Sequence, residues 1–254
     1  MTDLAQVGSM LTFDVTEPAE VVLRIAAAVP ATEDVSYAFT ELPGRQHHLA
    51  LPPGRITLSY AATVAALPPP PPVTLLDRVD ALRPSRYCPS DRLAGFAARQ
   101  FGGTPDATAT VRAVARWVHD HLAYEAGASE PTTDAADTLL SGAGVCRDFA
   151  HLTATLCRAL NIPARVTAVY APGLSPMDFH LVVETALDGV WRVWDATRLA
   201  PRQTLIRIAT GRDAADTALA TTISGMLTMP EMRITAVAAT DLPLDDHEAL
   251  VSLS

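Results

Sequence analysis

The clearest periodic stretch of the chain starts at Cys146. Apolar or small residues fall at Cys146, Phe149, Ala150, Thr153, Leu156, Cys157 and Leu160. This is the i, i+3, i+4, i+7 rhythm of a helix laid against a core. Ile162-Pro163 ends the helix near Asn161, because a proline restricts the residue before it. Gly142-Ala143-Gly144-Val145 leads into it, which puts Cys146 in the first turn. Upstream, Val111, Val114, Ala115, Val118 and Leu122 repeat the same rhythm. Thr104-Pro105-Asp106 supplies its start, with Thr104 as N-cap, proline at the first helical position and an acid in the first turn. Thr132-Thr133-Asp134 opens a shorter helix that turns Ala136, Leu139 and Leu140 inward and stops at Ser141-Gly142. Ser90-Asp91 caps a further short helix through Ala98.

Before residue 66 the period drops to two. Ile56, Leu58, Tyr60, Ala62 and Val64 alternate with mostly polar partners, the pattern of a half-buried strand. Met10 to Val15 and Val21 to Ala28 are apolar-rich runs separated by Thr16-Glu17-Pro18, and Pro43-Gly44 and Pro52-Pro53-Gly54 are turn signals. A small antiparallel β-rich domain over residues 1–72 is expected. It ends in a run of prolines, Pro68 to Pro72, that favours a stiff polyproline II spacer. His47 and His48 are strand neighbours that point to opposite faces, so the pair is read as a surface-loop feature rather than a metal site. His119 and His121 are two apart on a helix and share no face, which favours solvated or capping roles.

Beyond Pro163, Ala164 to Tyr170 reads as a strand. Phe179 to Thr185 and Val190 to Asp195 then flank Asp188-Gly189, a strong hairpin signal. With Asp188 and Gly189 as the central turn residues, Glu184 faces Val193 and Val182 faces Asp195. His180 then lies diagonal to Asp195 on one face, and a slip of one residue would separate them. Thr221 to Thr228 and Met232 to Ala238 read as two strands added to this second sheet, and Asp241 to Ser254 as an acidic, peripheral tail. The second domain spans residues 73–254.

Composition narrows the function classes. The 254 residues are 49% hydrophobic, enough for a sizeable core. The formal charge is −9 and the arginines are scattered, which argues against nucleic acid as a partner. No apolar run reaches the roughly 18–20 residues that span a bilayer. Met1-Thr2-Asp3-Leu4 lacks the basic start of a secretion signal, so a cytoplasmic protein is expected. Cys88, Cys146 and Cys157 are odd in number and form no CxxC pair, which fits reduced thiols.

Candidate chemistry centres on Cys146, His180 and Asp195. Unpaired N–H groups and the positive dipole end at a helix start stabilise an anion such as a thiolate. A histidine on one strand can take the thiol proton, and an aspartate on the next can orient it. Backbone N–H groups near Cys146 can bind an oxyanion. The bland alternatives are a buried structural cysteine, a satisfied core histidine and a strand-ending aspartate. Zinc is the competing chemistry, since all three are plausible ligand types, but the helix-start context favours a nucleophile. His151, five residues past the thiol and about 500° round the helix, points away from it and is read as structural. Arg147 and Asp148 are read as holding the loop or capping the helix, and Cys157 as inert.

The local sequences are more specific than the spacing. Gly-Ala-Gly-Val-Cys-Arg-Asp-Phe-Ala-His-Leu at 142–152, Phe-His-Leu-Val-Val-Glu at 179–184 and Trp-Arg-Val-Trp-Asp-Ala-Thr at 191–197 resemble the transglutaminase-like superfamily. The β-rich first segment and Thr210-Gly211-Arg212-Asp213-Ala214-Ala215-Asp216 resemble its bacterial branch with an N-terminal extension. The resemblance implies an α+β, papain-like core in which a cysteine helix packs on an antiparallel sheet. It implies Cys146 as nucleophile, His180 as base, Asp195 as orienter, and Tyr124 as an aromatic that helps the oxyanion site. It implies thioester chemistry on amide bonds of a peptide or protein substrate, with hydrolysis favoured over amine transfer. The alternative is a silent binding or scaffold protein of the same fold. No metal or cofactor is expected, and the oligomeric state is left open.

Overall fold

The computed structural model describes residues 4–65 and 71–253. Residues 1–3 of the amino terminus and Pro68–Pro70 of the proline run lie outside the described residues, and with them those two readings. In chain order the elements are strands β1 (Ala5–Leu23), β2 (Thr32–Val35), β3 (Thr40–Leu42), β4 (Gln46–Leu51) and β5 (Gly54–Val64), then helices α1 (Leu75–Asp80), α2 (Ala94–Phe101) and α3 (Ala107–His121). Strand β6 (Ala123–Tyr124), helix α4 (Ala135–Ser141), strand β7 (Ala143–Gly144) and helix α5 (Cys146–Ala159) follow. The chain continues through β8 (Ala164–Tyr170), β9 (Phe179–Leu187), β10 (Val190–Trp194), β11 (Ile206–Gly211) and β12 (Ala220–Val237).

The fold is α+β, with two antiparallel sheets. The second has the order β10-β9-β8-β11. Its Val166, Leu181 and Val183 meet Phe149, Leu152 and Leu156 of α5, and the same core takes in Val111, Val114 and Val118 of α3. Helix α5 is buried along nearly its whole length, from Asp148 to Arg158, as a helix enclosed by other elements must be. On the other side, Tyr170, Ile208 and Ala209 join a core made largely by the first sheet, including Leu11, Phe13, Leu58 and Tyr60.

Several expectations are corrected. The first two strands are one: β1 runs unbroken through Thr16-Glu17-Pro18, which its partner accommodates by register shifts between Val15 and Glu20. Residues 220–237 form one strand, not two, and pair with β1 of the first sheet rather than with the second sheet. Asp106, not Thr104, caps α3, its carboxylate accepting the Ala109 N–H at 2.8 Å. Helix α2 begins at Ala94, later than Ser90-Asp91 suggested, with no side-chain cap. His47 is no surface residue: it sits on β4 fully buried, stacked on Phe39 at 3.8 Å and bonded to the Tyr37 hydroxyl at 2.8 Å. The acidic tail is not peripheral, since Leu253 is buried and Asp245 pairs with buried Arg202 at 2.8 Å.

Candidate active site

The entry to α5 is built from the glycines. Gly142, at φ +69°, closes α4 in the left-handed conformation that glycine adopts without strain. Gly144 serves a different need. A Cβ there would stand 2.6 Å from the Cβ of Asp148, so only glycine lets that carboxylate tuck under the turn. Asp148 accepts the Val145 N–H at 2.8 Å and fixes the residue before the helix. Cys146 is then the first helical residue, half-buried, with its thiol free. The parallel pairing of β6 with β7 sets Tyr124 opposite Gly144 and so beside Cys146.

The hairpin supplies the other two groups. Asp188 and Gly189 have φ of +50° and +75°, as an Asp-Gly turn of the tight hairpin type requires. Glu184 pairs with Val193 and Val183 with Trp194. That register carries His180 next to Asp195, and the His180 Nε2–H donates to Asp195 Oδ2 at 2.8 Å with both side chains buried. The other carboxylate oxygen, Oδ1, accepts the Thr197 hydroxyl at 2.7 Å and the Thr197 N–H at 2.9 Å. Asp195 is thus held from both sides, and Thr197 is a site residue to which the sequence reading gave no role. The Asp-x-Thr spacing, in which a carboxylate folds back on a residue two ahead, is the signal that pointed to it.

Charge and burial oppose each other at His180. Burial is the largest influence and would lower the imidazole pKa. The charge and hydrogen bond of Asp195, with the nearby Cys146 thiol, outweigh it and raise the pKa to about 10. For Asp195, burial would raise the carboxyl, but the His180 imidazolium and the two Thr197 bonds lower it. Imidazolium and carboxylate are therefore the paired forms near neutral pH. The second ring nitrogen, Nδ1, is buried with no hydrogen-bond partner, and the Cys146 thiol is among the groups that act on the ring.

Cys146 and His180 line one cleft of about 180 Å³ with Arg24, Arg147, Phe179, Leu181 and Leu219 among its walls. Tyr124 stands at the thiol, 49% exposed and 5.8 Å from the Phe149 ring. Its pKa is raised, first by burial and then by Cys146, while the Cys146 backbone N–H acts the other way. The remaining candidates take structural places. His151 is buried, stacked on Tyr87 at 5.2 Å, and its Nε2 accepts the Ala214 N–H at 3.0 Å. His119 Nδ1–H donates to the Ala196 carbonyl at 3.0 Å, and His121 stacks on Trp117 at 4.1 Å. Arg147 donates to the Glu130 carbonyl at 2.7 Å. Cys88 and Cys157 are fully buried, and burial pushes their thiols up to about 11 and about 12. Arg24 was not anticipated, because it comes from the far end of the chain.

Residues 94–196 match the core model of the transglutaminase-like superfamily. A solved structure of a putative cysteine protease from Cytophaga hutchinsonii is 32% identical, with a TM-score of 0.85, and the match covers 95% of this chain and 93% of that one. An uncharacterised protein of Mycobacterium leprae is 29% identical over 158 residues, 58% of this chain. The chain spans 56% of the length of that curated relative. The periplasmic domain of TgpA from Pseudomonas aeruginosa is 18% identical, covering 79% of this chain and 91% of that one, with a TM-score of 0.43.

Proposed function

The chain belongs to the transglutaminase-like superfamily, and from that premise we propose that it is a thiol enzyme acting on amide bonds of peptides or proteins. The observation that carries the reading is the buried His180–Asp195 bond in the cleft that also holds Cys146. In this reaction the Cys146 sulfur attacks the amide carbonyl carbon and a C–S bond forms. The oxyanion is held by the backbone N–H of Cys146, with the Tyr124 hydroxyl at hand beside it. The C–N bond breaks as the His180 imidazolium gives its proton to the leaving amine. Water then adds to the thioester carbonyl and His180 takes one of its protons; the C–S bond breaks, the acid leaves, and the Cys146 sulfur is freed beside the re-formed His180 imidazolium. Asp195 and Thr197 hold the ring and offset its charge throughout.

Hydrolysis is the favoured second half-reaction, with an amine as the competing acceptor. Near-complete burial of Cys88 and Cys157 leaves Cys146 as the reactive thiol, which suits a chain working in a reducing, cytoplasmic setting. A peptide library incubated with the protein, with and without an added primary amine, separates the outcomes by mass: chain cleavage, deamidation or amine incorporation. Cys146→Ala should abolish whichever occurs. No mass change under either condition, together with equally slow alkylation of all three cysteines by iodoacetamide, would leave a silent scaffold.

A further inference from the structure

One charged group in the cleft has no part in the triad. Arg24 follows directly on β1, and its N–H donates to the Leu219 carbonyl at 2.9 Å, which pins it where the first sheet meets the loop before β12. Its half-buried side chain lines the cleft with Cys146 and His180. Among the described residues its guanidinium has neither ion pair nor side-chain hydrogen bond. Asp216, the acid whose charge acts on it, is engaged with Arg212 at 2.8 Å. Arg147, the other cation of the cleft, is held by Ser129 and Glu130. Around Arg24 the walls are apolar, formed by Ala168, Phe179, Leu181, Ile208 and Leu219.

A partly desolvated cation without a partner carries a cost that an incoming anion relieves. Guanidinium also presents a planar fork that matches a carboxylate. The apolar walls suit a short methylene stem that ends at that fork. An acidic chain, formally −9, also has little reason to leave the Arg24 cation without an ion pair in its cleft unless it binds something.

We propose that Arg24 is a specificity-determining residue: it binds a carboxylate on the acyl portion of the substrate, so that the preferred substrates are peptides with a glutamate beside the scissile amide. The proposal rests on the reading of Cys146 as nucleophile. It gives the N-terminal sheet a part in choosing the substrate.

The test uses peptidyl chloromethyl ketones in matched pairs, glutamate against glutamine, at the first and second residues before the reactive ketone. Labelling of Cys146 is followed by mass spectrometry, with iodoacetamide as a reagent that needs no recognition. The native protein should react faster with a glutamate reagent than with its glutamine twin. In Arg24→Gln the glutamate-to-glutamine rate ratio should fall roughly tenfold or more, the usual worth of a charged hydrogen bond. Arg24→Lys should restore part of it. Thermal unfolding of each variant separates a misfolded cleft from a lost contact. Equal rates for both members of each pair, or a glutamate preference that survives Arg24→Gln in a folded protein, would overturn the proposal. Failure of every reagent to label Cys146 faster than the buried cysteines would instead overturn the thiol-enzyme reading, and this inference with it.

Discussion

At the scale of single residues, the behaviour of His180 follows from two opposed forces. Burial favours the neutral ring, Asp195 favours the charged one, and Asp195 with Cys146 prevails, to give a pKa of about 10. Two consequences share that value. In the proposed reaction the leaving amine takes its proton from the imidazolium, so kcat/KM should fall as pH rises through about 10. The same proton is bound more tightly in the folded chain than in the unfolded one, where a histidine titrates at about 6.5. The stability it contributes is therefore complete below that pH, declines as pH rises, and is gone above about 10. A pH series of turnover and of thermal midpoint checks both. His180→Ala should lose roughly 10²–10⁴-fold in turnover and should lose the alkaline decline in stability specific to this pair. A native kcat/KM that stays flat to pH 11 (on the order of one unit past the pKa) would contradict the paired imidazolium.

At the scale of elements, the parts that could be read from the sequence are those governed by local chemistry. The Asp188-Gly189 turn fixes the β9–β10 register by itself, and the side-chain alternation then brings His180 to Asp195. Helix α5 announces itself by its apolar rhythm and its glycine-rich entry. Local signals mislead where two neighbours compete for one role. Thr104 and Asp106 both qualify as caps, and the carboxylate two residues on wins by reaching the Ala109 N–H. Gly144 is the element-scale residue with the sharpest consequence. Gly144→Ala places a methyl group against the Cβ of Asp148, close to the helix backbone and unable to swing aside. Overpacking of this kind costs about 1–3 kcal/mol. Asp148 can make room only by releasing the Val145 N–H, which shifts the first turn of α5. The variant should unfold at lower denaturant and its Cys146 should react more slowly with iodoacetamide. A folded Gly144→Ala protein with native stability and labelling would show that the close approach is dispensable.

At the scale of the whole molecule, the features hidden from the sequence are those that join distant segments. β12 reads as ordinary strand wherever it is placed. What assigns it to β1 is a partner some 200 residues away, as in the pairing of Gln6 with Val237. His47 looks like a surface histidine until Phe39 and Tyr37 enclose it. Arg24 enters the cleft only because the first sheet packs against the second. The tail is the clearest case. Asp241 to Ser254 has the composition of a solvated end, yet the Asp245 carboxylate meets the buried Arg202 guanidinium through both oxygens, at 2.8 Å each, and accepts the Arg202 N–H at 3.0 Å. Although burial works against ionisation of Asp245, its bonds to Arg202 hold the carboxyl well below the usual range. Removing one member of such a pair strands the other charge in the interior, at a cost of about 3–5 kcal/mol. Removing both costs far less, because neither charge then needs burying. Asp245→Ala should therefore be strongly destabilised in urea denaturation, whereas Arg202→Met with Asp245→Leu should recover much of the loss. Arg202 also donates to the Val193 carbonyl at 3.2 Å, one residue before Trp194 and two before Asp195. The single variant should consequently lower turnover as well as stability, since the strand that leads into Asp195 is tied to the tail. If Asp245→Ala unfolds at the native urea concentration, the pair contributes nothing net and the tail is not fastened by it.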